Sequence, residues 1–267
     1  MKRAGLLLIL SLASLGAGPR DDLQRARQFY NSQDYDAAAA AAVKARLGRD
    51  VADAATLILA RAHLERYRRS EDAADLTVAR DALQQIQPGN LGPADRVEFL
   101  IGLGESLYFD DHAGAAAEQF DLALAGLDPA NRGAREMVLD WWASALDRQA
   151  QFAPAVEQPS IYARMVRRME DELRRDAGGA AATYWLVAAA RGSGDLQRAW
   201  DAAMAGWVRA SMAEGRGAAL RTDLDRIVTQ AIIPELGRQT SAAGDSTSAT
   251  AAMRREWDAL KATWMDR

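Results

Sequence analysis

Along this chain, stretches in which apolar residues fall three and four positions apart alternate with short polar breaks. That spacing is one face of an α-helix. Leu23, Ala26, Phe29 and Tyr30 make the first stripe, with Asp21 or Asp22 placed to cap it, and Asn31 to Asp34 interrupt it. Tyr35, Ala38, Ala42 and Ala45 carry a second helix up to Gly48. A third is expected from about Asp53 to Tyr67, with Leu57, Ala60 and Leu64 inward, followed by the polar stretch Arg68 to Asp75. Ala79, Leu83 and Ile86 form the next stripe, stopped by Pro88-Gly89.

The clearest signal is residues 97–129. Leu100, Leu103, Gly104 and Leu107 line one helix, Asp110 to Gly114 make a turn, and Ala116, Phe120 and Ala123 line a second helix closed at Asp128-Pro129. Small residues at such a crossing let two helices approach closely. This hairpin resembles a tetratricopeptide (TPR) repeat, in which the same residue types recur at the same offsets. The resemblance extends to Ala26, Phe29, Tyr35 and Ala38, and returns around the Gly192-Ser193-Gly194 turn with Leu186, Val187, Ala190, Leu196, Ala199, Ala203 and Gly206. Ala38 and Ala116 are 78 residues apart, Ala116 and Ala199 are 83 apart, and neither is twice the ~34-residue repeat. The array is therefore degenerate. Between its units the helices from about Arg135 to Gln149 (Met137, Trp141, Trp142, Leu146) and from about Ser160 to Arg175 (Ile161, Met165, Met169, Leu173) flank a loop bracketed by Pro154 and Pro159 and lack the small residues.

Leu220, Leu224, Ile227, Val228 and Ile232 predict one more helix ending near Pro234, because proline lacks the amide that would continue it. Residues 237–249 are Ser, Gly and Ala rich and read as a flexible linker. Met253, Trp257, Leu260 and Trp264 then form a last amphipathic stripe, equally suited to docking on its own chain or on a partner. The fold implied is all-α: a right-handed array of α-α hairpins, a TPR-like solenoid, with a C-terminal helix after the linker. Its expected divisions are 1–18 a signal peptide, 19–134 hairpins, 135–236 further hairpins, 237–249 linker and 250–267 the final helix.

The amino end supports the first division. Lys2 and Arg3 precede an apolar run from Ala4 to Leu15, then the small residues Gly16, Ala17 and Gly18. Those are the parts of a secretory leader, and the run is shorter than the ~20 residues a membrane span needs. Cleavage after Ala17 or Gly18 would take the formal charge from −4 to −6 by removing Lys2 and Arg3. The chain is thus expected to be exported, periplasmic or secreted.

Charge and chemistry narrow the function further. A net charge of −4 argues against general nucleic-acid binding. The arginines at 66, 68 and 69 and at 164, 167, 168, 174 and 175 alternate with acids and read as solvated helix faces, with a phosphate-binding strip as the sharper alternative. With no cysteine and only His63 and His112, no metal site or cofactor is expected. Asp110-Asp111-His112 reads as a polar turn with a capping carboxylate. Glu170-Asp171-Glu172 reads as an ion-pair face, and Trp141, Trp142, Trp185, Trp200 and Trp207 as core. No catalytic residue is assigned. In TPR proteins the first helices of successive hairpins line a groove, so the resemblance implies partner-binding residues at Arg27, Tyr30, Glu98, Glu105, Tyr108, Tyr184 and Arg191. Aromatics flanked by charges suit a peptide or helix. The function expected is a non-enzymatic interaction or scaffold protein of the bacterial cell envelope. The alternatives are an enzyme on an α/α scaffold acting on envelope polysaccharide, and an oligomerising module driven by the terminal helix.

Overall fold

A computed structural model describes residues 18–241 and 246–264, and those residues are helical with no strand among them. The expected signal peptide, apart from Gly18, lies outside the described residues. No helix among them is long and apolar enough to cross a membrane. The chain divides into two compact units between Asp95 and Arg96.

The first unit holds α1 (Pro19–Asn31), α2 (Tyr35–Ala45), α3 (Ala52–Ser70), α4 (Ala73–Gln85) and a single 3₁₀ turn at Pro88–Asn90. Helix α1 starts at Pro19, where a missing amide costs nothing. Asp21 caps it from inside, accepting from the Gly18 amide at 3.0 Å, while Asp22 is buried and paired with Arg25. Each helix packs on the next, and α1 also touches α3. Ala26, Ala38 and Ala42 are fully buried, as close helix crossings require. The polar stretch after Tyr67 is not a long turn. Arginine is a good helix former, so α3 runs on to Ser70 and only Glu71 and Asp72 separate it from α4.

The second unit begins within α5 (Pro93–Phe109) and continues through α6 (Ala113–Gly126), α7 (Arg132–Phe152), α8 (Gln158–Arg175), α9 (Ala180–Gly192) and α10 (Leu196–Arg209). Phe120 of α6 lies against Gly104 of α5 so closely that a Cβ there would sit 2.6 Å from the ring. Helix α7 packs on α6, α8 and α9, and α9 packs on α8, α10 and α11 (Gly217–Ile227). The helix after α11 does not stop at Pro234. A π segment, Val228–Ile232, carries it into α12 (Ile233–Ser241). The wider π turn absorbs the hydrogen bond that Pro234 cannot make.

The expected linker shrinks accordingly. Residues 237–241 belong to α12 and 246–249 to α13 (Ser246–Trp264), and 242–245 lie outside the described residues. Helix α13 turns back on α12 and α10. Its Trp257 is fully buried, with its ring 5.3 Å from that of Trp207 and 6.1 Å from that of Trp200. The Trp257 indole and the Lys261 ammonium both donate to Asp225 Oδ1 of α11, at 2.8 and 2.7 Å. The terminal helix is part of the core of its own unit.

Three of the hairpins share one turn. Gln33, Asp111 and Gly194 sit in the left-handed region at φ 63°, 62° and 83°. Each is followed by an amide that reaches back five residues: Asp34 to Phe29, His112 to Leu107 and Asp195 to Ala190. This is the Schellman closure of a helix. Asp34 and Asp195 also cap the following helix, accepting from the amides of Ala37 and Arg198. At the middle turn no carboxylate caps: His112 holds the capping position without a side-chain bond, and Asp111 pairs with Arg148.

Candidate functional site

Helices α7, α9 and α11 lie side by side, and the residues of interest in the second unit gather on them. Tyr108, at the end of α5, stacks edge-on against Trp141 of α7 at 5.2 Å. The Arg148 guanidinium of α7 covers the Tyr108 ring at 5.0 Å. Tyr184 on α9 packs edge-on against Trp185, whose indole donates to Asp140 of α7 at 2.7 Å. Burial raises the Tyr184 phenol, and the neighbouring Asp223 adds to the shift.

Arg191, in the last turn of α9, holds both oxygens of Glu235 at 2.5 to 3.1 Å. That hydrogen bonding raises its guanidinium above the usual arginine range. Asp147 of α7 lies close enough to Arg191 to add to that shift, and accepts from the Tyr162 hydroxyl at 3.1 Å. Burial, reinforced by Asp147, pushes the Tyr162 phenol up to about 12. The surface is thus aromatic rings set in acids (Asp140, Asp147, Asp223, Glu235), with arginines already committed to partners.

The seven residues inferred from the sequence divide as follows. Tyr108, Tyr184 and Arg191 stand on the α7–α9 face and its rim, and Glu98 is half-buried on α5. Glu105 differs: it is fully buried, so the outward position expected for it is corrected. The middle of α5 is nearly enclosed, since Ile101, Gly102, Gly104 and Ser106 are buried around it. In the first unit Arg27 holds Asp95 at 2.8 and 3.0 Å, and Tyr30 tilts against Tyr35 at 5.5 Å. Sequence reasoning missed Asp140, Trp141, Asp147 and Arg148. Asp140 and Asp147, and Trp141 and Arg148, are each seven apart, two helical turns, which already places each pair on one helix face, but their helix departs from the repeat pattern.

The arginine-rich faces are also more than solvated surface. Arg164 and Arg168 of α8 reach Asp121 of α6, Arg164 reaches Glu118, and both guanidiniums lie over the buried Trp142 ring. Glu172 of α8 is buried and takes two bonds from Arg135 of α7 at 2.7 and 2.8 Å and one from Arg168 at 2.9 Å. Burial alone would push the Glu172 carboxyl up, but these guanidiniums outweigh it and hold the carboxyl below its ordinary value. Glu136, one turn before Asp140, is raised by burial although it accepts from the Ala181 amide at 2.9 Å. In the first unit His63 Nδ1 lies 2.7 Å from the buried Asp75, which Arg66 also approaches at 3.2 Å.

Among the described residues no group of three or more His, Cys, Asp or Glu has the geometry of a metal site. A scan against protein-family models and searches of curated proteins and of solved structures return no match to this chain.

Proposed function

We propose that this is an exported, non-enzymatic interaction protein of the bacterial cell envelope, built as a degenerate TPR-like array. The observation that carries the reading is the row formed by α7, α9 and α11, with Trp141, Arg148 and Tyr184 along it and Tyr108 at its edge. The recurrence of one Schellman turn in three hairpins supports the repeat character. Neighbouring helices of a repeat array present a continuous face, and aromatic rings along it give a partner contact area. The acidic surplus around Tyr184 suits a partner segment bearing lysine or arginine.

Site-specific cross-linking in the exporting cell tests this. A photoreactive phenylalanine analogue at Tyr108 or Tyr184 should give a discrete cross-linked protein in the envelope fraction. Asp140→Lys combined with Asp147→Lys should remove it. The same analogue at Leu122, exposed on α6, should not give that product. Retention of the protein in the cytoplasm, or identical products from all three positions, would overturn the reading.

A further inference from the structure

Where α6, α7 and α8 meet the start of α9, the second unit holds a cleft of about 710 Å³. That is within the ~300–1,000 Å³ typical of small-molecule sites. Leu124, Leu127 and Leu139 give it an apolar side. Its charged side is unevenly bonded. Every carboxylate there is committed: Glu172 to Arg135 and Arg168, Glu136 to the Ala181 amide, Asp176 to the Gly178 amide, and Asp171 to Arg174.

Two guanidiniums are held only loosely, at 3.3 to 3.4 Å. Arg175 makes a single bond, at 3.4 Å, to Glu172 Oε1, an atom that already accepts at 2.7 and 2.9 Å from Arg135 and Arg168. Arg132 reaches only Asp176 at 3.3 Å and Glu214 at 3.4 Å. A guanidinium carries five N–H donors in a fixed fork, so most of those on Arg132 and Arg175 have no acceptor among the described residues. Both side chains are more than half exposed at the cleft mouth. A smaller cavity of about 150 Å³ adjoins and shares Arg132, Glu136 and Asp176. At its mouth the cleft therefore presents guanidinium donors that an oxyanion arriving from solvent can reach.

We propose that the cleft binds an organic oxyanion, a carboxylate or a phosphate monoester on an apolar body, with Arg132 and Arg175 gripping its oxygens. Charge-assisted, fork-shaped pairing is the strongest way for arginine to satisfy such a group. The leucine side would take the apolar body. Glu172 has no part in holding the ligand, because its oxygens are filled from behind by Arg135 and Arg168. The N-terminus of α9 has none either, since Glu136 already occupies its amide. This inference does not rest on the partner surface proposed above.

Calorimetric titration of the full protein with sodium phenyl phosphate and with sodium benzoate, each at fixed ionic strength, tests it. Benzyl alcohol serves as the uncharged comparison. At least one anion should bind saturably, and the alcohol should not. Arg132→Gln with Arg175→Gln should weaken that binding about tenfold or more, as loss of charge-assisted bonds implies. Both residues are exposed, and a matching melting temperature for the double variant would show that the fold is kept. Arg20→Gln, at an exposed position of the first unit, should leave binding unchanged. Binding of phenyl phosphate alone would identify the phosphate source, and of benzoate alone the carboxylate source. Saturable binding of neither anion, equal binding by the double variant, or equal binding of the alcohol would overturn the proposal.

Discussion

Gly104 shows how much can depend on a missing Cβ. The Phe120 ring fills the space a side chain would need. Gly104→Leu should therefore cost about 1–3 kcal/mol through overpacking, read as a lower urea midpoint. Coupled with Phe120→Ala in a double-mutant cycle, the two losses should sum to more than the double variant shows. Gly194 is the opposite case. Open space surrounds it, but its φ of 83° is left-handed. Gly194→Ala should cost about 1 kcal/mol from backbone strain alone.

The two glutamates of the cleft, buried Glu172 and half-buried Glu136, respond oppositely to pH. Glu172 is held low, so its contribution to stability is present above the ordinary carboxylate range and fades as pH falls through its lowered value. Glu136 is held high, so its contribution favours folding at acid pH and is lost as pH rises through its raised value. At neutral pH, Glu172→Gln should cost about 3–5 kcal/mol by leaving Arg135 uncompensated. Glu136→Gln should be close to neutral. Thermal denaturation of both variants across acid and neutral pH checks the contrast.

At the scale of elements, the terminal helix carries the sharpest expectation. Trp257 is enclosed by Trp200 and Trp207, and Asp225 binds both its indole and Lys261. Trp257→Ala should cost about 3–5 kcal/mol, the range for large aromatics removed from a core. It should also release α13 to limited proteolysis while α1 to α4 stay protected. The amphipathic stripe at Met253, Trp257, Leu260 and Trp264 was legible in the sequence. Its destination was not, because an apolar face specifies burial without naming the surface that buries it. Pro234 misled for a related reason. Proline removes one hydrogen bond, and whether a helix ends there depends on whether neighbouring packing supports a π turn instead. The arginines of α8 were legible as charged but not as clamps, since their acceptors on α6 lie 43 to 47 residues away.

For the whole molecule, the two-unit division makes a spectroscopic prediction. All seven tryptophans follow Arg96, whereas helices are spread over both units. Tryptophan fluorescence therefore reports the second unit, and far-ultraviolet circular dichroism reports both. Ala38 is fully buried in the first unit. Ala38→Asp, which buries an unpaired charge there, should shift the circular-dichroism transition further than the fluorescence transition. Coincident transitions in native and variant protein would instead show a single cooperative unit.

From the sequence alone came the helical periodicity, the close crossing at Gly104 and Phe120, and the turns near Asp34, Asp111 and Gly194. These follow from local spacing and from residues whose size or backbone freedom is their message. Only the tertiary structure decided that Glu105 is buried, that α13 joins the core of its own unit, and that Trp141 and Arg148 meet Tyr108. It alone set Arg132 and Arg175 at one cleft with their donors unfilled. Such facts depend on pairings between distant elements, and helical spacing carries no record of which face meets which.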